Sequence, residues 1–308
     1  MTATIRLQGV SKMFGTQFAV RDVDLTFHPG ECIGLVGHNG AGKSTLIKLM
    51  LGLLRPSAGV VMVLGENPAA GAAARARREL GYLPENVALY PAMTGTETLA
   101  FYARLKSQPV AANAELLELV GLTQAARQRV GSYSKGMRQR LGLAQALLGQ
   151  PRALLLDEPT TGLDPALRQS FYEIIRVRRD AGTMVLLSSH ALAELEGEVD
   201  RVVVMNRGRK MADGSIQDLR RLAGIRPRVR VRLPELVAAD DAPWPGWSAR
   251  PGGLLETECD EANILPLLRT LPATAVDVEV LRPSLDEIYA RFLRHDEAPA
   301  GDAPGGTP

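Results

Sequence analysis

The stretch Gly37-His38-Asn39-Gly40-Ala41-Gly42-Lys43-Ser44 has the spacing of a phosphate-binding loop, GxxxxGK followed by Ser or Thr. The apolar run 32–36 predicts a strand before the loop, and the periodicity of residues 44–53 predicts a helix after it. In such a unit the loop amides and the positive end of the helix bind phosphate. We therefore expect the chain to bind a nucleoside triphosphate through Gly37, Asn39, Gly40, Gly42, Lys43, Ser44 and Thr45.

The composition excludes several classes of protein. The 36 basic and 34 acidic residues nearly balance, so no overall charge points to nucleic acid. Cys32 and Cys259 lie far apart, which predicts neither a disulfide framework nor a metal site and is typical of a reducing compartment. The N-terminus does not resemble a secretory signal, and no apolar run approaches about 18 residues. We expect a cytosolic protein that reaches a membrane only through a partner.

The first 222 residues are predicted to form one domain. Alternation over residues 1 to about 30 predicts antiparallel strands, and residues 94–150 read as a helical block that begins at a cap, Thr94 to Glu97. The short apolar runs 153–156 and 183–187 are separated by the helical segment 165–180, which is typical of a buried parallel sheet. The run 202–205 is predicted as the last strand.

A second, smaller domain is predicted over residues 226–295. Residues 228–233 alternate strictly between arginine and an apolar residue, residues 262–271 read as a helix and 276–280 as a strand. The arginines are typical either of a nucleic-acid surface or of the polar face of an edge strand, and we favour the edge strand. Residues 296–308 contain too few apolar side chains to pack and are predicted to be disordered.

Two carboxylates complement the phosphate loop. The apolar run 153–156 ends in Asp157, where such sheets hold a Mg²⁺-coordinating aspartate, and Glu158 follows it. Ser44 and Asp157 are therefore candidate Mg²⁺ ligands, Lys43 is a candidate for contacting the β- and γ-phosphates, and Glu158 is a candidate for activating water. An acidic turn after a strand would give the same two carboxylates without catalysis.

The segment Tyr133-Ser134-Lys135-Gly136-Met137-Arg138-Gln139-Arg140 resembles the signature sequence of ATP-binding cassette (ABC) ATPases. Gly162-Leu163-Asp164 resembles the D-loop of that family, and His190 resembles its switch histidine. The resemblance implies a homodimer with two composite ATP sites, in which Ser134 and Gly136 contact the nucleotide of the partner and Asp164 lies at the dimer interface. It also implies that His190 senses the γ-phosphate, although an isolated histidine is more often structural.

One further position matches the family pattern and three depart from it. Phe14 matches the aromatic residue that stacks on adenine, although it could instead pack inward in a hairpin. Glu85 stands where the family usually has glutamine, and its oxygens can still contact Mg²⁺ or water. Tyr133 and Lys135 replace leucine and glycine in the signature.

The family implies a fold as well as an activity. We expect an α/β P-loop NTPase cassette over residues 1–222, with a mixed-sheet core, an antiparallel β subdomain and a helical subdomain at about 94–150. The α+β domain at 226–295 would be an appended regulatory or dimerisation domain. The cofactors would be ATP and Mg²⁺.

The chain has one cassette and no inserted coiled coil, so a separate membrane-spanning permease is the expected partner. Over most of its length it resembles the NosF-type ATPases of the copper-processing system that matures nitrous oxide reductase. This implies a protein on the cytoplasmic face of the cell membrane, linked through the permease to a periplasmic copper-delivery protein, with no nucleic acid bound. The alternatives are the ATPase of a drug, lipid or polysaccharide exporter, and a nonmembrane mechanical ABC ATPase.

Overall fold

A computed structural model describes residues 4–71, 73–233, 246–250, 252–272 and 274–295 of the chain. The chain divides into two compact units, Met1–Ile216 and Gln217–Pro308. The predicted disordered tail, 296–308, lies outside the described residues.

The first unit contains, in chain order, β1 (Ile5–Phe14), β2 (Gln17–Phe27), β3 (Cys32–Val36), α1 (Lys43–Met50), β4 (Ala58–Val63), α2 (Ala74–Arg78), β5 (Leu80–Leu83), α3 (Gly95–Leu105), α4 (Asn113–Leu119), α5 (Lys135–Ala146), β6 (Ala153–Leu156), α6 (Pro165–Asp180), β7 (Met184–Ser189), β8 (Arg201–Asn206) and β9 (Arg209–Gly214). The second contains α7 (Ile216–Ala223), which begins at the boundary, β10 (Arg228–Arg232), β11 (Ser248–Arg250), β12 (Leu254–Glu258), α8 (Ile264–Arg269), β13 (Asp277–Leu281) and α9 (Leu285–His295).

The predicted antiparallel region forms a three-stranded sheet in the order β2-β1-β4. The alternation of apolar and polar residues places the apolar side chains on one buried face. The buried residues are Ile5, Leu7 and Val10 on β1 and Val20, Val23, Leu25 and Phe27 on β2. The β1–β2 register shifts at several points, which twists the hairpin.

The core sheet has six strands in the order β5-β6-β7-β3-β8-β9. The first five are parallel, and each residue of β3, β6 and β7 is buried, which explains why β3, β6 and the first four residues of β7 carry no charged or polar side chain. The sequence prediction that β8 is the last strand is wrong, because β9 returns antiparallel beside it. Strand β9 has the polar sequence RKMADG. A polar sequence is tolerated there because β9 lies at the edge of the sheet and pairs on one side only.

Helices α3, α4 and α5 form the predicted helical block. The cap predicted at its start is confirmed: the Thr94 side chain accepts from the Glu97 amide at 3.2 Å, and the Glu97 carboxylate accepts from the Thr94 amide at 2.8 Å. Residues 69–80 are rich in alanine and arginine, a composition that predicts a helix, but only the short α2 forms there.

Burial raises the pKa of the Cys32 thiol to about 12, so it remains a protonated core side chain.

None of the helices among the described residues is long and apolar enough to span a bilayer.

The second unit is built on a four-stranded antiparallel sheet in the order β11-β12-β10-β13. The expectation that the arginine strand is an edge is wrong, because β10 pairs with β12 on one side and β13 on the other. Val229 and Val231 are fully buried on one face of β10. On the other face the arginines meet cross-strand carboxylates: Arg230 lies 2.9 Å from Glu256 and 3.5 Å from Glu279. These pairs allow an arginine-rich strand to occupy the middle of a sheet.

Candidate functional site

The phosphate loop follows β3 at the carboxyl edge of the core sheet and leads into α1. Gly42 caps α1 with φ of 105°, and a Cβ there would lie 2.4 Å from the Ala19 carbonyl oxygen. At Gly37 a Cβ would lie 2.7 Å from that of Ala41 and 2.8 Å from the Met205 oxygen. Both positions therefore require glycine, because any side chain would collide with the loop itself or with the backbone of β2 or β8.

A buried carboxylate connects the phosphate loop to the end of β7. Lys43 Nζ donates to the Gly37 carbonyl oxygen and lies 3.2 Å from Glu158 Oε1. The other carboxylate oxygen, Oε2, lies 2.9 Å from His190 Nδ1. Glu158 and His190 lie just beyond the carboxyl ends of the parallel strands β6 and β7, and Lys43 begins α1 after the loop that follows the parallel strand β3, so all three meet at the same edge of the sheet.

One oxygen of Glu158 remains available as an acceptor. The Lys43–Glu158 contact is an ion pair without hydrogen-bond alignment, and Oε1 has no hydrogen-bond donor among the described residues. Glu158 is 9% exposed and its φ is 48°, a left-handed conformation unusual for glutamate. A buried acceptor held in a strained backbone is typical of a functional site.

Ser188, on β7, fixes both carboxylate residues. Its hydroxyl donates to Asp157 Oδ1 at 2.7 Å and accepts from the Glu158 amide at 2.9 Å. Ser188 is 1% exposed and Asp157 is 4% exposed, so water does not compete for these bonds. The sequence pointed to Asp157 and Glu158 but not to Ser188, whose only signal is its place two residues before His190.

Ser134 and Asp164 each cap a helix. The Ser134 hydroxyl accepts from the Met137 amide at 3.2 Å at the start of α5, and Asp164 Oδ1 accepts from the Leu167 amide at 2.9 Å at the start of α6. Both residues are exposed. Gly136 lies in the first turn of α5, where an added Cβ would be 3.8 Å from Leu163 and so would contact the segment before α6.

A buried amide links α5 to the loop that follows β6: Gln139 Nε2 donates to the Pro159 carbonyl oxygen at 3.0 Å. The residue that follows Glu158 is therefore anchored on the signature helix. This link was not found in the sequence, where Gln139 was noted only as part of the signature segment.

The remaining predicted site residues lie around this centre with fewer contacts. Phe14 is 52% exposed, so the inward-packing alternative is wrong; the Lys12 ammonium lies 5.1 Å from its ring centroid. Glu85 is exposed two residues beyond Leu83, whose carbonyl oxygen accepts from the Asp157 amide at 2.8 Å. Ser44 and Thr45 are half-buried in the first turn of α1, and Asn39 and Gly40 are exposed in the loop.

Comparison with known proteins agrees with this geometry. Residues 20–161 match the family model described as ABC transporter. YxlF of Bacillus subtilis, an uncharacterized ABC transporter ATP-binding protein, is 40% identical over 222 residues, which cover 70% of this chain and 72% of that protein. The Nod factor export ATP-binding protein I of Cupriavidus metallidurans is 38% identical over 223 residues, covering 71% and 73%. The chain belongs to the ABC transporter family.

Solved structures agree with the predicted ABC cassette fold. The structure of an ATP-binding subunit of an ABC transporter gives a TM-score of 0.67 at 33% identity, covering 71% of this chain and 93% of that one. A dimeric bacterial ABC transporter cassette gives a TM-score of 0.64 at 22% identity, covering 69% and 98%, which shows likeness of fold. The predicted cassette fold is confirmed, and the protein is the ATP-binding subunit of an ABC transporter, a family of ATPases.

Proposed function

We propose that this ABC subunit hydrolyses ATP with Glu158 as the residue that orients and deprotonates water. The buried Glu158 carboxylate carries the proposal, because it touches the loop lysine and His190 while one oxygen still lacks a hydrogen-bond donor. Lys43 and the loop amides would stabilise the charge that develops on the β- and γ-phosphates. His190 would hold the γ-phosphate in line with the water.

The residues present fit a Mg²⁺ ion that arrives with the nucleotide. The described residues contain no cluster of three or more His, Cys, Asp or Glu that could hold a metal by itself. Mg²⁺ at such sites is held by one or two protein ligands together with phosphates and water. Ser44 and Asp157 would supply those ligands, with Glu85 as a further oxygen donor, and Ser188 orients the Asp157 carboxylate. When bound, the ion would neutralise charge on the phosphates.

We propose that Phe14 stacks on the adenine ring. Its ring is half-exposed at the tip of the β1–β2 hairpin, so a flat partner can reach it without rearrangement of the core.

We propose that two copies form composite ATP sites. Ser134 and Asp164 are exposed at the starts of α5 and α6, and their described hydrogen bonds are local capping contacts. This leaves Ser134, Gly136 and Asp164 accessible to the nucleotide of a second copy. A dimeric cassette of the same fold supports this arrangement.

The proposed partner is a membrane-spanning permease, with this subunit on the cytoplasmic face of the cell membrane. The sequence resemblance to NosF-type ATPases supports a role in copper delivery or processing for nitrous oxide reductase maturation, through a periplasmic copper-delivery protein. The similarity to a Nod factor export protein favours a second candidate, an exporter ATPase. Nucleic acid is not a proposed ligand, because carboxylates on neighbouring strands pair with the β10 arginines.

The hydrolysis proposal is tested with Glu158→Gln. The variant should bind ATP and accumulate as a nucleotide-bound dimer, because water loses its base while the phosphate contacts remain. Turnover and dimer content are measured by phosphate release and by light scattering after gel filtration. Turnover equal to that of the wild type would contradict the assignment of Glu158.

The partner proposal is tested by affinity purification from gently solubilised membranes of the native host, with mass spectrometry of the recovered proteins. A multispanning subunit together with a periplasmic copper-maturation protein would support the NosF-type role. A drug, lipid or polysaccharide permease would support the exporter and exclude the copper role. Recovery without any membrane protein would contradict both and favour a mechanical ATPase.

A further inference from the structure

The first unit contains a cavity of about 180 Å³ between α5 and α6, which we call the α5–α6 cavity. Its walls come from the end of α4 and the two residues after it, from α5, from α6 with the segment before it, and from the last residue of β5. A cavity of about 150 Å³ with apolar walls is large enough to bind benzene. The volume therefore fits a small molecule with one ring, and it is too small for a helix, which is about 10 Å across.

Most of the wall is apolar. Six lining side chains are hydrophobic and at most 9% exposed, and these are Leu83, Val120, Leu143, Leu163, Phe171 and Ile174. Water beside such walls finds few hydrogen-bond partners. An apolar group that replaces this water is removed from bulk solvent as well, so its binding is favoured by the hydrophobic effect.

One buried donor at the cavity lacks a partner. Arg140, on α5, lines the cavity, and its Nη1 donates to the carbonyl oxygens of Val120 and Gly121 at 3.2 and 2.8 Å. Its Nε is buried and meets no hydrogen-bond acceptor among the described residues. A buried N–H without an acceptor is costly, so a ligand that brings an acceptor oxygen gains a hydrogen bond there.

The other polar residues of the lining indicate an uncharged ligand. Arg140 and the exposed Glu118 carry opposite charges, so the cavity has no net charge that would select an ion. The Gln139 amide nitrogen is already used in its bond to the loop after β6, and the Ser170 hydroxyl donates to the Ala166 carbonyl oxygen at 3.2 Å. Arg140 Nε is therefore the polar group to which the ligand would bind.

The cavity adjoins the loop that carries Glu158. Gln139 lines the cavity and donates to the Pro159 carbonyl oxygen at 3.0 Å. Leu163 also lines it, and its amide donates to the Thr160 carbonyl oxygen at 3.1 Å. A ligand in the cavity would thus contact two residues whose hydrogen bonds hold the segment just after Glu158.

We propose that the α5–α6 cavity binds a compact uncharged molecule with an apolar body of the size of an aromatic ring and one hydrogen-bond acceptor directed at Arg140 Nε. We further propose that its binding changes the rate of ATP hydrolysis. The binding site goes beyond the proposed catalytic function and uses no residue of the phosphate loop. The effect on hydrolysis rests on the proposed role of Glu158, so the two parts are tested by separate measurements.

Binding is measured by fluorine NMR titration of the full chain with two probes of equal shape. One is 4-fluoroacetophenone, and the other is 4-fluoro-α-methylstyrene, in which a methylene group replaces the carbonyl oxygen. We expect saturable binding of the ketone with a Kd of about 1 mM or tighter.

Arg140→Lys tests the donor, because lysine keeps the charge and can still donate to a backbone carbonyl but has a methylene in place of Nε. It should weaken binding of the ketone by about fivefold and leave binding of the styrene within about twofold. Arg104→Lys, at an exposed arginine of α3 outside the cavity, is the matched control and should change neither.

Ser170→Leu separates occupation of the cavity from loss of structure. Ser170 is an exposed lining residue of α6, so leucine there should fill the cavity without lowering the unfolding temperature, while both probes bind more than about tenfold more weakly. Saturating ketone should change phosphate release by the wild type at least about twofold and leave that of Ser170→Leu unchanged.

The site would be overturned by absence of saturable ketone binding, by unaltered binding in Ser170→Leu, or by equal effects of Arg140→Lys on the two probes. Binding without any change in phosphate release would overturn the regulatory role. None of these results depends on the outcome for Glu158→Gln, so failure of the cavity proposal and failure of the catalytic assignment are distinguishable.

Discussion

Replacing Ser188 with alanine tests how the carboxylates of Asp157 and Glu158 are held. The hydroxyl makes a 2.7 Å bond to Asp157 and a 2.9 Å bond from the Glu158 amide, and the site is closed to water. Alanine would leave a buried carboxylate oxygen and a buried amide without these partners. A hydrogen bond to a charged group is worth about 1.5–3 kcal/mol, and an ordinary one about 0.5–1.5 kcal/mol. We expect a total loss of stability of about 2–4.5 kcal/mol.

The same substitution should slow turnover. If Asp157 and Glu158 drift from their positions, the barrier rises, and a rise of about 1.4–2.7 kcal/mol corresponds to a loss of roughly 10- to 100-fold in kcat. The Mg²⁺ concentration for half-maximal activity should also rise, since Asp157 is the proposed ligand. Steady-state phosphate release is measured against ATP and against Mg²⁺, with thermal unfolding in parallel.

Ser189→Ala is the matched control for Ser188→Ala. Ser189 is also buried on β7, but its hydroxyl contacts Ala191 and Glu194 at 3.1 and 3.2 Å and touches neither Asp157 nor Glu158. It should lower stability with a smaller effect on kcat and none on the Mg²⁺ requirement. If Ser188→Ala lost stability but kept kcat and the Mg²⁺ requirement within twofold of the wild type, Ser188 would be a packing residue and the reasoning would be refuted.

Four further substitutions test other parts of the chain. Lys43→Ala should weaken ATP binding by roughly 10- to 100-fold, because a charged contact to phosphate is lost; unchanged affinity in equilibrium titration would contradict the loop assignment. Glu256→Gln should destabilise the second unit by about 1–3 kcal/mol in chemical unfolding, because the buried Glu256 accepts from both Arg230 and Arg250, whose bonds lower its pKa. Glu279→Gln, at an exposed partner of the same Arg230, should cost less than about 1 kcal/mol, and equal losses would refute the role of burial. Burial lowers the pKa of Lys106 from 10.5 to about 8, so the unfolded chain binds more protons between these pH values and stability should rise with pH across that window. Lys106→Met cannot titrate, so its unfolding temperature relative to the wild type should fall as pH rises, and a constant difference would show that Lys106 is not the source.

The phosphate loop, the carboxylate strand and the alternating hairpin could all be predicted from the sequence. Each depends on local spacing: glycines where a turn needs them, apolar runs where both faces of a strand are buried, and alternation where one face is buried. The order of these motifs then identified the family. The identity of the partner could not be read in this way, because it depends on surfaces of another protein.

The tertiary structure decided what local patterns leave open. The arginine strand β10 has the alternation of an edge strand, but its neighbours supply carboxylates that allow it to lie inside the sheet. Strand β9 is polar and was missed because pairing along one edge does not require an apolar sequence. Ser188 was missed for a related reason. The Ser188 hydroxyl lies on β7, whereas Asp157 and Glu158 follow the end of β6. Their contact therefore exists only after β6 and β7 pair. The sequence by itself determined which chemical groups are present and which elements carry them, whereas the pairing of distant strands determined which groups meet.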